Sequence, residues 1–209
     1  MSGSDNPLHL AELISARISH DLSGLVGTLA NALELAVEEA AAPSEAVTLA
    51  ADAASEVRLR LRLLRFAWGP VASAISLPEL SGLAEGLPAG RRVALVLAGL
   101  PADTVLPPHI ARVVVNVLML AAESLPGGGE VVLAGSADDL IISIAGPRAA
   151  WPAGLAACLN SEAAAWAALR DPRHLQMPFT AVLARALGLR LSLVLGPGIL
   201  KLRLNESSG

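Results

Sequence analysis

His20 and Asp21 are the residues in this chain whose types and adjacency suit chemistry. An imidazole is a nucleophile and proton carrier near neutral pH, and a neighbouring carboxylate orients the ring and favours its protonation. Both lie in the stretch Leu10–Val37. At ~100° per residue, Ile14, Ile18, Leu22, Leu25, Leu29, Leu33 and Ala36 form one apolar stripe of a helix. His20 points about 180° from the centre of that stripe, with Arg17, Gly24, Gly27 and Asn31 around it. Glycine inside a helix costs ~1 kcal/mol relative to alanine, so Gly24 and Gly27 need a reason. Close approach of a partner is one reason; tight helix packing is the other. An exposed imidazole on a rigid helix, with cleared surface beside it, suits a histidine that another protein must reach. The bland alternative is a structural or incidental histidine.

A second cluster is basic. Arg58, Arg62 and Arg65 recur at i, i+4, i+7, with Arg60 nearby. In a hairpin turning near Pro43, Arg62 and Arg65 are expected at about the level of His20, where guanidinium groups would attract an acidic partner or a phosphoryl group. A solvated charged face is the competing reading. Arg17, Gly24, Gly27, Arg62 and Arg65 are therefore the candidate docking residues.

The elements that must position these groups follow from pattern. Helix one is expected from Asn6-Pro7 to about Ala42, with Pro43 interrupting and Ser44 capping helix two, about Glu45–Trp68. Helix two places Val47, Ala50, Ala54, Val57, Leu61 and Leu64 at helical spacing and ends at Gly69-Pro70. Two helices with one stripe each cannot close a core, so two hairpins are expected to pair as a four-helix bundle, making a homodimer. Beyond a linker at Gly69–Ser76, strands are expected at Arg92–Ala98, Glu130–Ala134, Leu140–Ala145, Leu189–Leu195 and Ile199–Leu204. The last two form a hairpin across Gly196-Pro197-Gly198. Helices are expected at Pro108–Ser124, about Leu155–Leu169, and Pro178–Leu187. The fold class is thus α+β: a helical hairpin over residues 1–70 and an α/β sandwich over 75–205.

Composition narrows the function. Of 209 residues, 54 % are hydrophobic but only 2 % aromatic, with no Tyr, so the core must be built of Ala, Leu, Val and Ile. A net charge of −4 argues against nucleic-acid binding. Cys158 stands alone, and no Cys/His spacing suggests a metal. The N-terminus lacks a signal-peptide pattern, and no apolar run approaches the ~20 residues needed to cross a bilayer. A soluble cytoplasmic protein is expected.

Ser19-His20-Asp21-Leu22 resembles the H-box of two-component histidine kinases, and the second domain resembles, in order, the kinase ATP-binding (Bergerat, or GHKL) fold. The segment Arg112–Leu133 is similar to the kinase N-box and its following strand, with Asn116 at the first Asn and Leu120 in place of the second. Ile141–Arg148 stands where the family has Asp-x-Gly-x-Gly, with Ala145 nearest the adenine-reading Asp. Arg173–Thr180 replaces the glycine-rich ATP lid without a glycine. A phospho-accepting helix joined to a degenerate kinase domain resembles the ChpT-like histidine phosphotransferases. That resemblance implies a phosphorelay without ATP. His20 would take a phosphoryl group from the receiver domain of a hybrid histidine kinase and pass it to response regulators, with Asp21 orienting the ring. The chain would bind no cofactor; magnesium would sit on the receiver. Gly24 occupies the position where bifunctional kinases carry Thr or Asn, which implies weak phosphatase activity. An active histidine kinase core and a non-enzymatic interaction regulator are the alternatives. His9, His109, His174, Trp68, Trp151, Trp166 and Glu123 read as packing or surface residues.

Overall fold

The computed structural model describes residues 7–38, 45–70, 73–88, 92–196 and 199–206. The expected turn at Pro43, the cap at Ser44 and the tip at Pro197-Gly198 lie outside the described residues. Helices α1 (Pro7–Glu38) and α2 (Glu45–Trp68) form the N-terminal hairpin. The buried face of α2 is only partly the one the apolar pattern suggests. On α2 the buried positions are Ala46, Ala50, Ala53, Leu63, Leu64 and Ala67. Small side chains at 46, 50 and 53 let the helices approach, and this rotates α2 away from its expected stripe. Val47 and Leu61 are left 48 % and 40 % exposed, and Ala54 is exposed too. On α1, Leu33 is likewise open, while Ile14, Ile18, Leu22, Leu25, Leu29 and Ala36 are half-buried.

The supposed linker is shorter than expected. Ile75–Ser76 is a strand, β1, and Leu77–Ala84 a helix, α3. Helix α3 was not expected; it starts at Ser76-Leu77-Pro78-Glu79, a capping box with Pro in the first turn. The Ser76 backbone N–H donates to Glu79 Oε2 at 2.8 Å, and Ser76 Oγ accepts from the Glu79 N–H at 3.4 Å.

Strands β2 (Val93–Ala98), β4 (Gly129–Ser136), β5 (Asp139–Ala145), β6 (Leu189–Gly196) and β7 (Ile199–Glu206) build one sheet in the order β2-β4-β5-β7-β6. β2 and β4 are parallel and the other pairs antiparallel. The short β3 (Val105–Leu106) pairs with β1 apart from the sheet. Alternate residues Val131, Leu133, Leu140, Ile142, Leu189, Leu191 and Leu204 are buried, as the two-residue period of a one-faced sheet requires. Over it lie α4 (Pro108–Glu123) and α7 (Gln176–Ala186). The expected helix at Leu155–Leu169 is two, α5 (Leu155–Asn160) and α6 (Glu162–Ala168). Ser161 breaks it by adopting an extended backbone and capping α6 through Ala164 N–H. Trp68, Trp151 and Trp166 pack at the edge of the core, as expected of them. No helix among the described residues is long and apolar enough to cross a membrane.

Helix α4 is the keel of the molecule. Every residue from Val113 to Ala122 is buried, including Asn116. A buried amide must be satisfied, and this one is. Its Nδ2 donates to the carbonyls of Ala67 at 3.0 Å and Arg112 at 2.9 Å. Its Oδ1 accepts from Trp68 Nε1 at 3.1 Å and Gln176 Nε2 at 3.0 Å. Asn116 thereby ties the end of the hairpin to α4 and α7. Replacing it by Ala strands the Trp68 donor, while Gln176 Nε2 keeps the Asn116 carbonyl and Thr180 Oγ1 as acceptors, so Asn116→Ala is expected to cost about 1–3 kcal/mol in a urea melt.

Candidate functional site

His20 projects from α1 with 67 % of its side chain exposed, while Asp21 keeps only 12 %. Nδ1 lies 3.3 Å from Asp21 Oδ1. A carboxylate only accepts, so this bond holds the proton on Nδ1 and leaves the lone pair of a neutral ring on Nε2. Nε2 has no partner among the described residues. The sequence-derived pairing of an exposed imidazole with an orienting acid is present in the fold.

Arg17 departs from expectation. It is 8 % exposed and offers no guanidinium face to a docking partner. Nε donates to both oxygens of Asp21, at 3.0 and 3.1 Å. Nη1 donates to the carbonyls of Pro172 and Arg173, at 3.2 and 3.1 Å, and Nη2 to Glu123 Oε1 at 2.6 Å. Burial opposes the Arg17 charge, but Glu123 and Asp21 outweigh it and hold its pKa above the usual range. The half of α1 that carries His20 therefore lies against the second domain. His9 Nε2 near the Leu169 carbonyl, at 3.2 Å, and the buried Leu13 belong to the same contact.

Glu123 is the residue that sequence reasoning missed. It ends α4, where the helix dipole disfavours a negative charge. An acid there, after a run of apolar residues, signals a cation brought from elsewhere. With 27 % of its side chain still open to solvent, the Glu123 carboxyl is pushed above its ordinary range by partial burial, Arg17 favouring its charge and Asp21 opposing it.

The turn Pro172–His174 completes the site. Asp171 caps it by accepting from the Arg173 N–H at 2.9 Å, and its other oxygen lies 3.1 Å from His174 Nδ1. Ala16, Arg17 and His20 from α1, with Asp171, Pro172 and Arg173, line a groove of about 390 Å³. Arg173 and His174, read as part of a missing lid and as surface, stand exposed beside the phosphoacceptor candidate. Behind them Leu175, Gln176, Phe179 and Thr180 are buried, with Phe179 edge-on to Trp68 at 6.3 Å.

Arg62 and Arg65 are exposed but belong to a different groove, of about 950 Å³, with Leu29, Val57, Phe66, Glu79 and Leu83. The rotation of α2 carries them toward α3. Arg60, on the opposite side of α2, is the arginine whose charge meets Asp21, Arg17, Glu56 and Glu123. Burial lowers its pKa, and its Nε and Nη1 are buried without a hydrogen-bond partner. Gly24 and Gly27 lie on open surface: a Cβ added at either meets nothing within 4 Å. Packing within the chain does not account for them. Among the described residues no cluster of His, Cys, Asp and Glu is arranged to hold a metal ion.

The family model described as histidine phosphotransferase C-terminal domain matches residues 77–197. The chain belongs to this family. A relative from Brucella abortus (strain 2308), protein phosphotransferase ChpT, is 28 % identical over 193 residues, covering 89 % of this chain and 90 % of that protein. A solved bacterial phosphotransferase structure superposes with a TM-score of 0.74 at 23 % identity, covering 96 % of this chain and 97 % of the other. The latter shows a shared fold across both the hairpin and the sandwich. The family match covers the sandwich alone, so the residues of the hairpin, His20 included, are assigned by their own geometry.

Two outcomes follow from the geometry of the site. Gly24→Ala and Gly27→Ala reduce the conformational entropy lost on folding and meet no clash, so each is expected to stabilise the protein by about 0.5–1 kcal/mol in a denaturant melt. Glu123 binds its proton more tightly folded than unfolded. Relative to Glu123→Gln, the natural residue therefore contributes stability fully below its ordinary pKa of 4.5 and loses it as pH rises through the raised value. Melts of the two proteins from pH 4 to 7 should show that difference falling with pH; a difference that rises would contradict it.

Proposed function

We propose that this chain is a histidine phosphotransferase of a two-component phosphorelay, carrying a phosphoryl group between receiver-domain aspartates on Nε2 of His20. The observation that carries the reading is the exposed ring held through Nδ1 by Asp21, at the edge of a groove shared by α1 and the second domain. The Nε2 lone pair attacks the phosphorus of a receiver aspartyl phosphate. The N–P bond forms as the P–O bond breaks and its electrons return to the receiver carboxylate. The proton stays on Nδ1, where Asp21 holds it. Attack by a second receiver's aspartate reverses the step. In-line placement of the two reacting groups supplies most of the rate in such transfers. Magnesium comes with the receiver. The donor is the receiver of a hybrid histidine kinase, and the acceptors are response regulators.

Operation without ATP is part of the proposal. Its support is the engagement of Asn116 by four protein groups and the apolar packing of Leu120 and of residues 175–180. A homodimer is also proposed, in the cytoplasm. Its support is the apolar surface the hairpin leaves open, at Val26 and Leu33 on α1 and at Val47 and Leu61 on α2. Pairing two such hairpins closes a four-helix bundle. Gly24 and Gly27 give a receiver close access to α1, and the exposed Arg173 supplies positive charge to the rim of the His20 groove. The wider groove carrying Arg62 and Arg65 is proposed as a second contact area.

Reconstitution with phosphorylated receivers tests the reading. Wild type is expected to become labelled and to pass the label to a second receiver. His20→Ala should remain dimeric, fold normally and carry none. Labelling of His20 by ATP alone would replace the relay with an active kinase, and full function of His20→Ala would point to a binding regulator.

A further inference from the structure

The second domain holds one wall of the His20 groove, and a single guanidinium joins that wall to the phosphoacceptor. We propose that Arg17 and Glu123 are positioning residues for phosphoryl transfer, fixing residues 171–173 opposite His20 so that a receiver meets histidine and wall in one set arrangement. This rests on the reading of His20 as the phosphoryl carrier.

The geometry is specific. A guanidinium is a rigid planar fork, so groups bonded to different edges of it are placed relative to one another. Arg17 bonds Asp21 through Nε, the carbonyls of Pro172 and Arg173 through Nη1, and Glu123 through Nη2. Asp21 is also the acceptor of the His20 ring. Ring orientation and wall position thus depend on the same plane. Glu123, at the end of the buried α4, is the anchor that references both to the core.

Stability gives little reason for this arrangement. An ion pair that takes a guanidinium out of water often returns no more than the desolvation costs, and an acid at a helix C-terminus is unfavourable in itself. Burial also holds the Glu123 carboxyl above its ordinary range in spite of Arg17, with Asp21 opposing its charge and His174 favouring it. Apolar side chains would join α1 to α4 as firmly, but they would not fix the angle of a hydrogen-bonded fork.

The test uses the full chain with Glu123→Ala, which removes the anchor, and Glu123→Gln, which keeps an acceptor for Nη2. Transfer from a phosphorylated receiver and direct labelling of His20 by phosphoramidate, a donor too small to need the wall, are measured side by side. Glu123→Ala is expected to raise the KM for the receiver about tenfold, the scale on which small misplacements act, with phosphoramidate labelling within about twofold of wild type. Glu123→Gln should restore most of the receiver KM. An unchanged receiver KM in Glu123→Ala, or equal losses with both donors, overturns the proposal. If wild type accepts from no receiver, the relay reading fails and the junction is judged separately. In Glu123→Ala, faster amide exchange at Arg173 and His174 together with shifted His20 ring resonances sustains it; either change without the other overturns it.

Discussion

The burial of Arg17 is the constraint on which the rest of the site depends. A charged side chain leaves water only when its donors are met, and Arg17 meets them with two carboxylates and two carbonyls from three separate parts of the chain. That requirement brings the first helix, the end of α4 and the 172–174 turn to one point. His20 sits on the rim of this point rather than on an isolated helix. Its exposure is therefore local: a ring open to solvent, held above a cluster that is not.

The second domain gains a structural role from the same contacts. Its central helix carries no free polar group toward a ligand at Asn116, whose amide is spent on the hairpin and α7. The segment after α6 forms a capped turn and a buried helix start, and so presents Arg173 and His174 beside α1. A sheet faced on one side by helices is a rigid base, and a groove wall built on it stays in place when a partner approaches.

The hairpin shows where pattern reading loses accuracy. The stripe expected on α2 held Val47, Ala50, Ala54, Val57, Leu61 and Leu64, of which Ala50 and Leu64 are buried, together with Ala46, Ala53, Leu63 and Ala67. Close helix packing favours small side chains, and the larger ones are pushed to the flank. That rotation of α2 moved Arg62 and Arg65 to the α3 side and brought Arg60 toward Asp21. Hydrophobicity marks which residues avoid water; it does not mark which partner covers them.

By itself the sequence determined the elements and the phosphoacceptor candidate. Val- and Ile-rich runs marked β2, β4 and β5, two apolar runs flanking Gly196-Pro197-Gly198 marked β6 and β7, helical spacing marked α1, α2, α4 and α7, and His20 stood opposite an apolar stripe beside an acid. These are local properties, carried by neighbours within a turn or a strand. Tertiary structure alone decided that Arg17 is buried, that Glu123 completes its charge cluster, that Arg62 and Arg65 line a different groove, and that residues 171–173 form the wall facing His20. Arg17 and Glu123 lie 106 positions apart and Arg17 and Arg173 lie 156 apart. Contacts at such separation leave no periodicity in the chain, so only the folded arrangement reveals them.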